Sequence, residues 1–195
     1  GMGKEFCFTA NNTFHVERRI KSYNYEKQHL IFVGSLDERK MLSAIIDSFI
    51  NANSIVEGKF KFLIIVDGAE EVKLKSKIQS LGQSSKILLL GKINNTNKLA
   101  KYYKNAIAAI SYGQAGLAVL QAFAYGVPYI SKKGAITGGE LYNIKNNYNG
   151  IIVDEGKNKL DEALKTIFSN IQLAKKLGEN AHDYYTKNCT VENML

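Results

Sequence analysis

Six short apolar runs, with helix-patterned segments between them, constrain the fold of this chain more than any other feature. Leu30 to Val33, Phe62 to Val66, Ile87 to Leu90, Ala106 to Ile110, Tyr129 to Ile130 and Ile151 to Val153 read as strands. Most are apolar throughout rather than alternating, the pattern of strands covered on both faces. Between them, Leu42, Ile45, Ile46, Phe49 and Ile50 keep helical spacing, as do Leu160, Ala163, Leu164, Ile167 and Phe168. Leu74, Ile78 and Leu81 form a shorter stripe that Gly82 is placed to cap, and Ala174, Leu177, Ala181 and Tyr184 mark a further helix. This alternation predicts an α/β fold: a doubly wound parallel sheet of about six strands, helices on both sides. Ligands of such sheets bind beyond the carboxyl ends of the strands, so the informative loops follow Val33, Val66, Leu90, Ile110 and Ile130.

A chain of 195 residues, 45% hydrophobic and 23% charged, suits one soluble globular domain. Its richest apolar stretch, Leu117 to Tyr125, is far short of the ~20 residues a membrane helix needs. The opening lacks the basic-then-apolar pattern of a secretory leader. The formal charge of +8 raises the odds of an anionic partner. The lysines are spread over many segments, without a nucleic-acid-reading motif, and read mostly as solvated helix faces; nucleic acid is not an expected partner. Cys7 and Cys189 stand at opposite ends of the chain and read as free thiols in a reducing compartment, with no metal site.

Several phosphate-binding and catalytic signatures are missing. Phe32-Val33-Gly34-Ser35-Leu36 carries a single glycine after the first strand, which argues against NAD or FAD, and neither a P-loop nor a G-x-S-x-G elbow occurs. His15, His29 and His182 lie near no nucleophile, and His29, at a strand edge, reads as a packing residue.

The most informative segment runs from Ser111 to Pro128. It leaves an apolar strand, turns through Gly113-Gln114-Ala115-Gly116 and enters a helix that is apolar almost all round, and therefore buried. The N-terminus of such a helix offers unbonded N–H groups and a positive dipole end to an anion, and glycines let phosphates approach the backbone. Gln121 is the strongly polar side chain between Leu117 and Tyr125, and helical side chains lean toward the N-terminus. Its amide either reaches a ribose hydroxyl beside a diphosphate or is satisfied within the fold.

Gly116-Leu117, Ala122 and Gly126-Val127-Pro128 fall in register with the donor-binding motif of group 1 glycosyltransferases, which the segment resembles. These are retaining enzymes built from two Rossmann-like halves, the GT-B architecture. The family's two glutamates would fall on Gly113 and Gln121. Phe32-Val33-Gly34-Ser35-Leu36 with Lys40 is similar to the family's first strand and the basic residues after it, Ser35 standing where an arginine is usual. Asp67-Gly68, Gly91-Lys92-Ile93, Gly138-Gly139 and Asn149-Gly150 resemble later landmarks. Glu140 is read as a helix cap or first-turn acid.

The resemblance implies a donor diphosphate held by Gly34, Lys40, Gln114, Ala115, Gly116 and Leu117, a ribose at Gln121, a sugar near Gly113 and a base at Lys92 and Ile93. Catalytic residues stay unassigned, and neither a metal nor a cofactor is expected. The donor would be a UDP-, GDP- or other nucleoside diphosphate sugar, used in polysaccharide biosynthesis. Residues 29–195 would form the donor-binding domain and 1–28 an arm or interdomain linker, with Asn11-Asn12-Thr13-Phe14 resembling the motif before that linker. The acceptor, a glycan or lipid-linked sugar, would sit on an N-terminal domain outside this chain. The setting would be the bacterial cytoplasm, with peripheral contact at the inner face of the plasma membrane. The departures at Gly113, Gln121 and Ser35 equally fit a non-catalytic, degenerate nucleotide-binding module of a polysaccharide assembly complex.

Overall fold

A computed structural model describes residues 26–68 and 71–190. Most of the expected arm, with Cys7, His15 and the Asn11-to-Phe14 landmark, lies outside the described residues. Strand β1 (His29–Ser35) leads through a 3-10 turn (Glu38–Lys40) into α1 (Leu42–Ile55). Next come β2 (Lys61–Asp67), α2 (Glu71–Ser80), β3 (Ile87–Leu89), α3 (Thr96–Lys104) and β4 (Ala106–Ile110). A short strand β5 (Gln114–Ala115), α4 (Ala118–Ala124), β6 (Tyr129–Lys132) and a short strand β7 (Ile136–Thr137) follow. The chain continues through a 3-10 turn (Glu140–Asn143), β8 (Gly150–Val153), α5 (Lys159–Ser169) and α6 (Ile171–Asn188).

The six expected strands form one sheet in the order β3-β2-β1-β4-β6-β8, parallel throughout. The chain builds outward from β1 to β3, then crosses back and builds outward from β4 to β8. Strand order therefore reverses between β1 and β4, the switch point where ligands of open α/β sheets bind. β1 stays paired with β2 as far as Ser35 but with β4 only as far as Ile31. The two neighbours part early, which opens a crevice at the carboxyl edge.

Burial on both faces explains the continuous apolar runs. Leu30, Phe32, Phe62 and Ile64 pack under α1, α2 and α5, while Ile31, Leu63, Ala109 and Tyr129 pack under α3 and α4. Phe49, Phe60, Phe62 and Phe168 anchor the first layer, with Phe60 and Phe168 stacked at 4.8 Å. Helix α6 begins on that side with Ala174 and Leu177 and ends on the other with Ala181 and Tyr185. Gly82 closes α2 as its sequence position suggests. At φ 65° it lets its own amide reach the Gln79 carbonyl and the Gln83 amide reach Ile78.

His29 packs, with Nε2 bonded to the Tyr102 carbonyl at 2.7 Å. Burial pushes its pKa down to about 4, so the ring stays neutral and donates. Cys189 is a buried thiol that forms no disulfide, with Sγ 3.8 Å from Asn143 Oδ1. Among the described residues no helix is long and apolar enough to cross a membrane, and no group of three or more His, Cys, Asp or Glu could hold a metal ion.

Candidate functional site

Two connections meet at the switch point: the one after β1 and the one after β4. In the first, Asp37 accepts from the Arg39 amide at 2.9 Å and from the Arg39 guanidinium, which holds its carboxyl down to about 2. Met41 then takes a left-handed conformation, φ 54°. This tight turn sets Lys40, half-buried, with Nζ 3.5 Å from the Gln114 carbonyl oxygen. Burial lowers the Lys40 pKa. The same carbonyl accepts from the Ser111 hydroxyl, whose own carbonyl accepts from Ser131 Oγ at 2.9 Å. Ammonium and hydroxyls thus fix the second connection from below.

Gly113 is where the two connections touch. A Cβ there would lie 2.2 Å from the Arg39 carbonyl oxygen and 2.7 Å from Met41 Cγ, so this backbone admits no side chain at that position. Its amide faces the Lys40 carbonyl at 3.5 Å, and its carbonyl accepts from Ile136 at 3.0 Å. β5 then pairs in parallel with β7, which brings the Thr137-Gly138-Gly139 turn beside the site. Glu140 opens the following 3-10 turn and is buried. Its carboxylate accepts from the Gly138 amide at 3.1 Å and from Thr137 Oγ1 at 3.2 Å, a first-turn acid as expected.

Past β5 the surroundings open. A Cβ on Gly116 would meet nothing within 4 Å, and Leu117 is half exposed. The amides of Gly116, Leu117 and Ala118 make no hydrogen bond among the described residues. Val119 is the first to turn back, onto the Gly116 carbonyl at 2.9 Å. Unbonded N–H groups at a helix start are the anion-binding arrangement that the sequence suggests.

Gln121 is satisfied within the fold at one of its two polar atoms. Its Oε1 accepts from the Tyr103 hydroxyl at 3.1 Å, and Tyr103 is itself buried and stacked on Tyr125 at 5.0 Å. Burial raises the Tyr103 pKa well above its ordinary value, so the phenol remains a donor. Gln121 Nε2 makes no hydrogen bond among the described residues.

Gly34, Lys40, Gly113, Gln114, Ala115, Gly116 and Leu117 therefore come together at the switch point, with Gln121 one helical turn deeper. Lys92 and Ile93 follow β3, across β2 from β1, about 10 Å along the carboxyl edge at two strand spacings. Lys92 is exposed, and Ile93 packs on the α3 and α4 layer. Sequence reading misses Ser111, Tyr103, Thr137 and the burial of Glu140. A serine directly after the apolar run Ala106 to Ile110 is the one signal that points to Ser111.

The family model described as "Glycosyl transferases group 1" matches residues 14–184. The chain belongs to this family. Among its relatives is the Campylobacter jejuni GalNAc-alpha-(1->4)-GalNAc-alpha-(1->3)-diNAcBac-PP-undecaprenol alpha-1,4-N-acetyl-D-galactosaminyltransferase. It is 26% identical over 162 residues, which cover 81% of this chain and 44% of the relative. The chain spans less than half the length of the curated relatives it matches. A mutant of S. aureus TarM, solved in complex with Fondaparinux, alpha-GlcNAc-glycerol and UDP, shares the fold at a TM-score of 0.81. It is 18% identical, with 96% of this chain and 37% of TarM covered. The C-terminal domain of a group 1 glycosyltransferase from Francisella tularensis (LpcC) matches at 0.67 and 19% identity, with 84% of this chain and 86% of that domain covered. The group 1 chain described here thus has the architecture of the C-terminal, Rossmann-like half of a GT-B glycosyltransferase.

Proposed function

We propose that this domain holds a nucleoside diphosphate sugar for a group 1 glycosyltransferase and contributes the groups that bear the charge of the departing diphosphate. The reading rests on the unbonded amides of Gly116, Leu117 and Ala118, facing the crevice where Lys40 is anchored. Fixed N–H dipoles and an ammonium in a partly desolvated cleft stabilise charge that grows as the glycosyl–oxygen bond breaks. Gln121 Nε2 donates to a ribose hydroxyl, and the Lys92–Ile93 backbone at the end of β3 meets the base. A hexose is the sugar we expect to transfer. Catalysis needs no metal, and the acceptor, a glycan or lipid-linked sugar, is held by a second domain. The presence of UDP in the TarM complex and the undecaprenol-linked substrate in the name of the C. jejuni relative support this assignment. They also support polysaccharide assembly in the bacterial cytoplasm, with peripheral contact at the inner membrane face.

Calorimetry of the chain with UDP, GDP and ADP tests the reading. One nucleotide should bind, and Lys40→Ala should weaken it about tenfold, the worth of one charged hydrogen bond. Indifference to all three nucleotides sinks it.

A second reading, a nucleotide-binding module without transferase activity, is favoured by Gly113, where the backbone leaves no room for the family's glutamate. Donor turnover by the full-length protein, abolished in Lys40→Ala, would rule it out.

A further inference from the structure

Charge is distributed unevenly along this chain. Between Val72 and Gly139 there are ten lysines and not one aspartate or glutamate; all 18 acids lie outside that stretch. Eight of the ten lie on α2, on α3 and in the connections on either side of β3, and Lys132 and Lys133 lie at the end of β6. On α2, Lys77 pairs with Asp47, and Lys133 after β6 pairs with Asp154. On the flank of α3 the Glu26 carboxylate accepts from the Gln28 side chain at 3.3 Å, and neither Lys98 nor Lys101 forms an ion pair among the described residues.

A groove of about 1060 Å³ runs along that flank, lined by α3 residues from Asn97 to Tyr102 and by the amino ends of β1 and β2. Lys59, Lys61, Lys98 and Lys101 form its walls; all four are exposed, and none makes an ion pair among the described residues. Its floor is apolar, made of Leu63 and Leu88. Lys27, next to the lining residue Gln28, is buried with Nζ 3.4 Å from the Lys104 carbonyl, and burial lowers its pKa to about 8. The titratable side chain among the lining residues that is not a lysine or tyrosine is His29, which is neutral.

We propose that this groove is a docking surface for an anionic phospholipid membrane, with phosphodiester headgroups between the lysines and their glycerol ends over Leu63 and Leu88. Unpaired lysines side by side are the pattern drawn to the negative surface of a bilayer. The four walls hold no arginine fork for base edges and no exposed aromatic platform for base stacking, which argues against nucleic acid. An apolar floor beside ammoniums fits an amphiphile better than a fully solvated polyanionic glycan. The nine residues of α3 give the surface a length of about 14 Å, enough for more than one headgroup. Docked along this flank, the domain keeps the carboxyl edge of its sheet free for donor and acceptor. The proposal names the surface for the membrane contact included in the function proposed above and rests on that reading for its biological sense. The physical test is independent of the donor site.

The full chain is co-sedimented with vesicles of phosphatidylglycerol in phosphatidylcholine, and with vesicles of phosphatidylcholine alone. Binding should need phosphatidylglycerol and weaken with added salt. Lys98→Gln/Lys101→Gln should reduce it about 25-fold, at about fivefold per lysine near an anionic surface. The control pair Lys157→Gln/Lys165→Gln, before and on α5 against the opposite face, should change it less than about twofold by the same measure. Equal binding to both vesicle types, equal losses in the two pairs, or tighter binding to a single-stranded oligonucleotide or heparin overturns the proposal. UDP affinity should be the same in wild type and Lys98→Gln/Lys101→Gln. Absence of UDP binding in wild type would defeat the donor-site reading and leave the membrane result standing.

Discussion

At the start of α4, Gly116 faces open space and three successive amides make no hydrogen bond among the described residues; at its end, the carbonyls of Gln121, Ala122, Phe123 and Ala124 all have partners. There Gly126 turns at φ 67°, its amide bonds Phe123 and the Val127 amide bonds Ala122, before Pro128 forbids continuation. Gly178 of α6 seals that end, since a Cβ on it would lie 2.3 Å from the Gly126 carbonyl oxygen. The contrast shows that the glycines of this segment, and the one on α6 that packs against its end, do different physical work. Gly113 and Gly178 admit another backbone, Gly126 reverses handedness, and Gly116 leaves room for something that is not protein.

Substitution can break this contrast at either end. Gly113→Ala or Gly178→Ala should cost most, about 3 kcal/mol each by overpacking against a fixed carbonyl, read as a lower urea midpoint. Gly126→Ala should cost about 1 kcal/mol, because alanine is strained at a left-handed φ. Tyr103→Phe removes the hydrogen bond that fixes Gln121 and should cost about 1 kcal/mol or less, while weakening UDP binding through a looser amide. Gly116→Ala sharpens the contrast most. Stability should stay within about 0.5 kcal/mol or rise slightly. Calorimetry should nonetheless show UDP affinity down at least about tenfold, as a methyl enters the space a phosphate needs. If Gly116→Ala unfolds like Gly113→Ala, or binds UDP normally, the two ends of α4 are not distinguished as argued.

The sheet was legible because strands buried on both faces write continuous apolar runs, and alternation with helices leaves few topologies open. The open turn before α4 was legible for a related reason: a buried helix must start somewhere, and its first amides lack partners within the helix. Other parts were hidden by their size or by long-range contacts. Helix α3 buries only Leu99 and Tyr103 among polar neighbours, too short a stripe to stand out. β5 and β7 are two residues each and exist only by pairing with each other. The crowding at Gly113 comes from Arg39 and Met41, far upstream, and the tether on Gln121 comes from a tyrosine on another helix. Local pattern carries no trace of either.

A cradle made of peptide N–H groups has a consequence for how such a domain diverges. Each residue from 116 to 118, unless it is proline, supplies the same N–H donor, so most point changes there alter bulk but do not delete the donor. Contacts made by side chains have no such insurance. Serine at position 35 and glycine at 113, where the resemblance implies an arginine and a glutamate, offer no charged side chain, while the pitch and start of α4 hold the three amides in place whatever stands beside them.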